Sequence, residues 1–177
     1  IKTKKFSRGA STISMQLVKN VFLTREKTLS RKLEEILLVY ILENNRIVSK
    51  ERMLEVYFNI IEWGPNVYGI GEASHFYFQK KPSELDLNEC LYLARIIPSP
   101  KKFMYQFNDE GTLKDFAVKQ DDSLTNIMIR RGLLTLDDTI FKHQIVKISG
   151  PAKSYLRLKV KDSTALDSIP AIEEFEP

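Results

Sequence analysis

Residues 8–20 read Arg8-Gly9-Ala10-Ser11-Thr12-Ile13-Ser14-Met15-Gln16-Leu17-Val18-Lys19-Asn20, and eleven residues further on the chain reads Arg31-Lys32-Leu33-Glu34-Glu35. Gly9 frees the backbone just before a helix start, and Ser11 or Thr12 supplies an N-cap, so a first helix is predicted from there to about Phe22. The N-terminus of such a helix has unpaired N–H groups and the positive dipole end, both of which favour an anion. Thr12, Gln16 and Lys19 follow one another at four- and three-residue spacing and share a face. With no acid or thiol among them they suit holding a phosphate or a sugar hydroxyl. An ordinary capped helix with a polar outer face would read the same way.

The second helix, predicted from Thr28 or Ser30 to Asn44, says more. Arg31, Lys32 and Glu35 fall within one turn, and Glu35 shares its face with Leu38, Val39 and Leu42. A carboxylate on an apolar face is costly to bury unless cations pair with it or a metal binds it. Burial raises its pKa and nearby Lys or Arg lowers it, the opposed environment found at active sites. A salt bridge at the core edge would need only Arg31 and Glu35. Lys19, Lys27, Arg31 and Lys32 are more positive charge than one carboxylate requires, which points to a missing anion such as a pyrophosphate. Because Ile36–Leu42 is apolar at every angular position, this helix is expected to lie buried in the middle of a domain.

The bulk numbers are compatible with that reading. The 177 residues are 43% hydrophobic and 28% charged, enough to bury a core and too apolar for wholesale disorder. The net charge of +4 is unevenly spread: residues 1–60 hold twelve Lys or Arg against six Glu, a net +6. That mild bias does not mark a nucleic-acid binder, but it suits a phosphate-bearing partner or an anionic membrane surface. The single cysteine, Cys90, excludes an intrachain disulfide and is expected to be a buried, inert thiol. Two histidines, His75 and His143, make a His/Cys zinc site improbable. The apolar run Ile36–Leu42 is too short to span a bilayer. A chain opening at Ile1 reads as a fragment with its membrane anchor upstream.

Further along, Ser49 is expected to cap a third helix carrying Met53, Leu54, Tyr57 and Phe58. Gly64-Pro65-Asn66 reads as a turn, followed by a helix over Tyr68–Phe78. Asp86 and Glu89 form a capping box for a helix reaching about Ile97, ended by Pro98 and Pro100. A helical stretch Leu124–Arg131 is closed by Gly132, and Thr135 with Asp138 caps one more short helix. Gln144–Ser149 and Ser154–Val160 read as β-like, and 161–177 as an acidic tail. Glu55 and Glu62 are read as structural acids, and the aromatic residues between 57 and 78 as core for the most part, with a minority free to line a sugar or lipid groove.

Taken together, these stretches resemble glycosyltransferase family 51, the transglycosylase domain of class A penicillin-binding proteins and monofunctional transglycosylases. Its second motif, G-x-S-T-I-T-Q-Q-x-x-K-N, is matched by Gly9, Ser11, Thr12, Ile13, Gln16, Lys19 and Asn20, with Ser14 for Thr and Met15 for the first Gln. R-K-x-x-E is Arg31 to Glu35, and K-x-x-I-L-E-x-Y-L-N corresponds to Lys50–Asn59. Tyr68–Pro100 looks like the family's closing section, so the resemblance covers about Phe6 to Phe107.

The resemblance implies a mainly α, lysozyme-like domain with a membrane-abutting lobe over residues 1–108, lacking its N-terminal part. Residues 109–177 would then be a small mixed α/β extension. It further implies polymerisation of lipid II onto a growing glycan strand, with release of undecaprenyl pyrophosphate, at the extracytoplasmic face of the bacterial membrane beside other cell-wall synthesis proteins. Glu35 would be the catalytic residue that helps to organise the pyrophosphate, directly or through a divalent cation, Mg2+ or Mn2+. Ser11, Thr12, Gln16, Lys19, Asn20, Lys27, Arg31 and Lys32 would bind substrate, with Lys27 standing where many members have Arg. The family's E-D-x-x-F-x-x-H-x-G motif, source of the general base, would precede Phe6, where this chain has no carboxylate. Two other readings use the same helical text: a lysozyme-like enzyme that cleaves glycan with a Glu acid, and a non-catalytic scaffold or lipid-binding module. The first would not need the Lys/Arg cluster, because its substrate carries no pyrophosphate.

Overall fold

The computed structural model describes residues 11–23, 29–139 and 146–159. The chain divides into two compact units, one ending at Ile61 and one beginning at Glu62. Among the described residues the protein is mainly helical with one small sheet, the architecture expected of a lysozyme-like domain.

The first unit holds α1 (Ile13–Phe22), α2 (Leu29–Asn44) and α3 (Lys50–Ile60), with α1 packed on both of the others. Thr12 caps α1 by accepting from the Met15 N–H at 3.2 Å, and Ser49 caps α3 by accepting from the Arg52 N–H at 3.2 Å. Leu17, Val18, Met53 and Tyr57 form the interior. α2 departs from expectation: Leu33, Ile36, Leu37, Tyr40 and Ile41 are exposed, and its one buried described side chain is Glu35. An apolar run covering every angle does not specify which angles will be covered. Here α1 packs on only part of that circumference.

The second unit begins with a hairpin, β1 (Glu62–Gly64) and β2 (Val67–Tyr68), antiparallel with a register irregularity between Glu62 and Gly64. Asn66 supplies the left-handed residue of its turn, at φ 58°. Tyr68 therefore belongs to the sheet, and α4 starts later than expected, at Ile70–Phe78. α5 (Leu87–Ile96) has the expected capping box, with the Glu89 N–H donating to Asp86 and the Asp86 N–H to Glu89. α6 runs Asp115–Arg130, nine residues longer at its start than the periodicity indicated, and ends with Gly132 at φ 68°. Thr135 and Asp138 cap each other's backbone ahead of the turn Asp137–Thr139.

The interior of this unit is aromatic. Phe76, Tyr77, Tyr92 and Phe103 are buried and meet edge to face, and Tyr155 joins them through Phe76 and Phe103. The Tyr77 hydroxyl donates to the Trp63 carbonyl at 2.8 Å, tying α4 to the hairpin.

The β reading of Ser154–Val160 is overturned, since α7 occupies Ala152–Lys159. Only three apolar positions alternated there. Among the side chains described there, Ala152, Tyr155 and Leu156, spaced for one helical face, are buried. Gly150 lies flat on α4, where a Cβ would come 2.3 Å from the Phe76 carbonyl oxygen. The Ser149 N–H donates to the Tyr77 carbonyl at 3.0 Å. In the earlier β-like stretch, the described residues give one isolated bridge, Lys147 to Thr112. The acidic tail from 161 lies outside the described residues. Cys90 is exposed rather than buried, but partial desolvation and the nearby Asp86 and Glu89 hold its thiol above the ordinary range, so it remains a poor nucleophile.

Candidate functional site

The motif residues of α1 and α2 meet within the first unit. Glu35 is 2% exposed. Arg31, one turn earlier, pairs with its Oε1, and Lys32 Nζ lies 2.6 Å from its Oε2. Lys32 also donates to the Ser11 hydroxyl at 3.2 Å, linking α2 to the residue just ahead of the α1 cap. Burial pushes the Glu35 carboxyl upward, but the Lys32 hydrogen bond and the charges of Lys32, Arg31 and Lys19 outweigh it and hold the pKa below 4.5. Glu35 is therefore ionised at neutral pH, surrounded by three cations that act on one negative charge.

The expected set is thus placed as follows. Ser11, Lys19, Arg31, Lys32 and Glu35 form one electrostatic cluster. Thr12 serves as the cap of α1, Gln16 accepts from the Tyr57 hydroxyl at 3.0 Å, and Asn20 is exposed on α1. Lys27 lies outside the described residues. Glu55 pairs with Arg52 at 2.7 Å and Glu62 with Lys101 at 3.0 Å, both as structural ion pairs.

Sequence reasoning missed a second polar chain. Ser14 donates to Glu43 at 2.7 Å, and Lys50 pairs with the same Glu43 oxygen at 3.0 Å, joining α1, α2 and the start of α3. The signal for it was the pair of hydrophilic positions, Ser14 and Glu43, on otherwise apolar helix faces. These residues, with Thr12, Met15, Ile36 and Val39, line a groove of about 230 Å³. Tyr57 is buried with the core, and its hydroxyl also reaches a candidate site residue, Gln16.

No group of three or more His, Cys, Asp or Glu side chains converges among the described residues. Both Glu35 oxygens are engaged by cations, Oε1 by Arg31 and Oε2 by Lys32. What the cluster offers is an electropositive, hydroxyl-bearing surface at a helix N-terminus.

A model of the transglycosylase family matches residues 1–128. The chain belongs to the transglycosylase family. The match runs past Phe107 and through most of α6, further than the motifs alone extend. Among similar proteins, the biosynthetic peptidoglycan transglycosylase of Nitrosomonas eutropha is 48% identical over 101 residues, 57% of this chain and 41% of that protein. That of Paraburkholderia xenovorans is 43% identical over 99 residues, 56% of this chain and 40% of that protein. That of Chromobacterium violaceum is 39% identical over 120 residues, 68% of this chain and 52% of that protein. The chain thus spans between two fifths and about half of the length of these family members.

Proposed function

We propose that this chain carries the pyrophosphate-facing part of a peptidoglycan glycosyltransferase, the activity named for its relatives. The observation that carries the reading is the excess of cation over anion: Lys19, Arg31 and Lys32 around one ionised, buried Glu35. In the reaction, the 4-hydroxyl of an incoming sugar gives its proton to a general base that these residues do not supply, and its oxygen attacks the anomeric carbon of the glycan held on its lipid. The anomeric C–O bond breaks with inversion, and undecaprenyl pyrophosphate leaves with the electron pair. Negative charge grows on the departing oxygen. Donors already fixed around that position stabilise it without reorganising, which is the largest contribution such a site can make. Glu35 holds Arg31 and Lys32 in place. Arg31 can grip a phosphate with its planar fork, while Lys32 acts as a point charge.

A lysozyme-like acid needs a carboxyl whose pKa is raised, so that it keeps its proton to donate. Glu35 is shifted the opposite way. That favours the polymerase reading over glycan cleavage.

The working place is the bacterial membrane surface on its extracytoplasmic side, with lipid II and the growing strand as partners. The exposed Leu33, Ile36, Leu37 and Tyr40 on α2 support this, together with Val21 and Phe22 at the end of α1. Among the described residues no helix is long and apolar enough to cross a membrane. The test is lipid II polymerisation by the whole protein that contains this chain. Glu35→Gln is expected to abolish glycan formation while leaving the far-ultraviolet circular dichroism unchanged. A normal polymer yield from that variant would overturn the assignment.

A further inference from the structure

Gln16 is a neutral amide on the α1 face that also carries Lys19, and its orientation is not left to chance. Tyr57, on α3, is 1% exposed, and its hydroxyl lies 3.0 Å from Gln16 Oε1. Burial raises the phenol's pKa, so it keeps its proton and acts as a donor. A carboxamide is planar, with an acceptor on one side and two N–H donors on the other. Holding Oε1 toward Tyr57 turns the Nε2 group away from it. Gln16 is half-buried on the helix face it shares with Thr12 and Lys19, whose charge already acts on Glu35. Reversed, the amide would present a lone pair to an anionic ligand.

We propose that Tyr57 is a positioning residue that fixes the Gln16 carboxamide with its NH2 outward, making Gln16 a dedicated hydrogen-bond donor to an acceptor oxygen of the pyrophosphate-linked sugar substrate. The inference rests on the glycosyltransferase reading above. It gives the site a neutral donor that salt does not screen, beside Lys and Arg charges that salt does.

The experiment is steady-state lipid II polymerisation by the whole protein, with Tyr57→Phe, Gln16→Leu, the double variant and Gln16→Glu. Tyr57→Phe removes only the hydroxyl. It is expected to raise KM about 3- to 10-fold, the worth of one net hydrogen bond, with kcat within about twofold. Gln16→Leu is expected to do the same, and adding Tyr57→Phe to it should change nothing further. Gln16→Glu still accepts from Tyr57 but offers an oxygen where the NH2 was, so its KM should rise at least as much as that of Gln16→Leu. A purely structural Tyr57 would instead lower the thermal midpoint in both backgrounds, with multiplying effects on rate. That result, or a wild-type KM for Gln16→Glu, overturns the proposal. An active wild type with unaffected Tyr57→Phe sinks this inference alone. Absence of polymerisation by the wild type, or full activity of Glu35→Gln, sinks the parent reading and this inference with it.

Discussion

The two units bury different chemistry. In the second, the most enclosed side chains are Trp63, Phe76, Tyr77, Tyr92 and Phe103, locked edge to face around one another. In the first, the only buried described side chain of the central helix is a carboxylate, while five large apolar neighbours on the same helix face outward. Aromatic burial stabilises a fold without regard to any ligand. Burying an ion pair yields little net stability, since desolvation offsets most of the attraction. A helix that buries Glu35 and exposes Leu33 and Leu37 gains little stability from either, and the proposed binding role accounts for that arrangement. The second unit is built on buried rings, and the first encloses an ion cluster beside its smaller apolar interior.

The sharpest way to break that contrast is to remove a ring. Phe103→Ala is expected to cost about 3–5 kcal/mol in urea unfolding, because the cavity left among Phe76, Tyr77 and Tyr155 cannot collapse. Glu35→Gln should cost less by the same measurement, because the Arg31 and Lys32 it leaves without a counter-charge stay partly open to water, although it abolishes polymerisation. Equal losses of stability would mean that the charged cluster is scaffold and the contrast false.

A smaller loss is expected from Gly150→Ala, about 1–3 kcal/mol, because its Cβ would collide with the α4 carbonyls of His75 and Phe76. Thermal melts would show it, and an unchanged midpoint would mean that α7 is not seated against α4 as described.

Acid should act on the first unit through Glu35. Its folded pKa lies below the ordinary 4.5, so its ionisation contributes stability that is fully present above that value and fades as pH falls through the lower folded pKa. The stability difference between wild type and Glu35→Gln is therefore expected to be constant from pH 7 to about pH 5 and to shrink below 4.5. A difference that instead changes between pH 5 and 7 would point to a raised pKa and revive an acid role.

At the bottom of the scale stands Arg52→Ala. Its pair with Glu55 is exposed on both sides, and its loss should change stability by no more than about 0.5 kcal/mol.

Much of the charged cluster was legible in the sequence because its signals are local. Thr12 and Ser49 cap helices through their own side chains, and Arg31, Lys32 and Glu35 meet because one turn of helix brings them together. The parts that escaped notice depend on distant partners. Ser14 finds Glu43 across 29 positions, and Gln16 finds Tyr57 across 41. The β reading of Ser154–Val160 failed for the same reason: the alternation of Leu156, Leu158 and Val160 hid the helical spacing of Ala152, Tyr155 and Leu156, which counts only where α4 offers a surface to pack on.

By itself the sequence determined that Arg8 to Glu35 would begin two helices and place cations one turn from a carboxylate, since capping and i,i+4 spacing are properties of short segments. Tertiary structure decided three things: that Glu35 would be enclosed while Leu33 and Leu37 stayed outside, that Ser11 and Lys19 would join its cations, and which way Gln16 would turn its amide. Each depends on a helix from elsewhere in the chain arriving at one face and not another, and no local pattern specifies that choice.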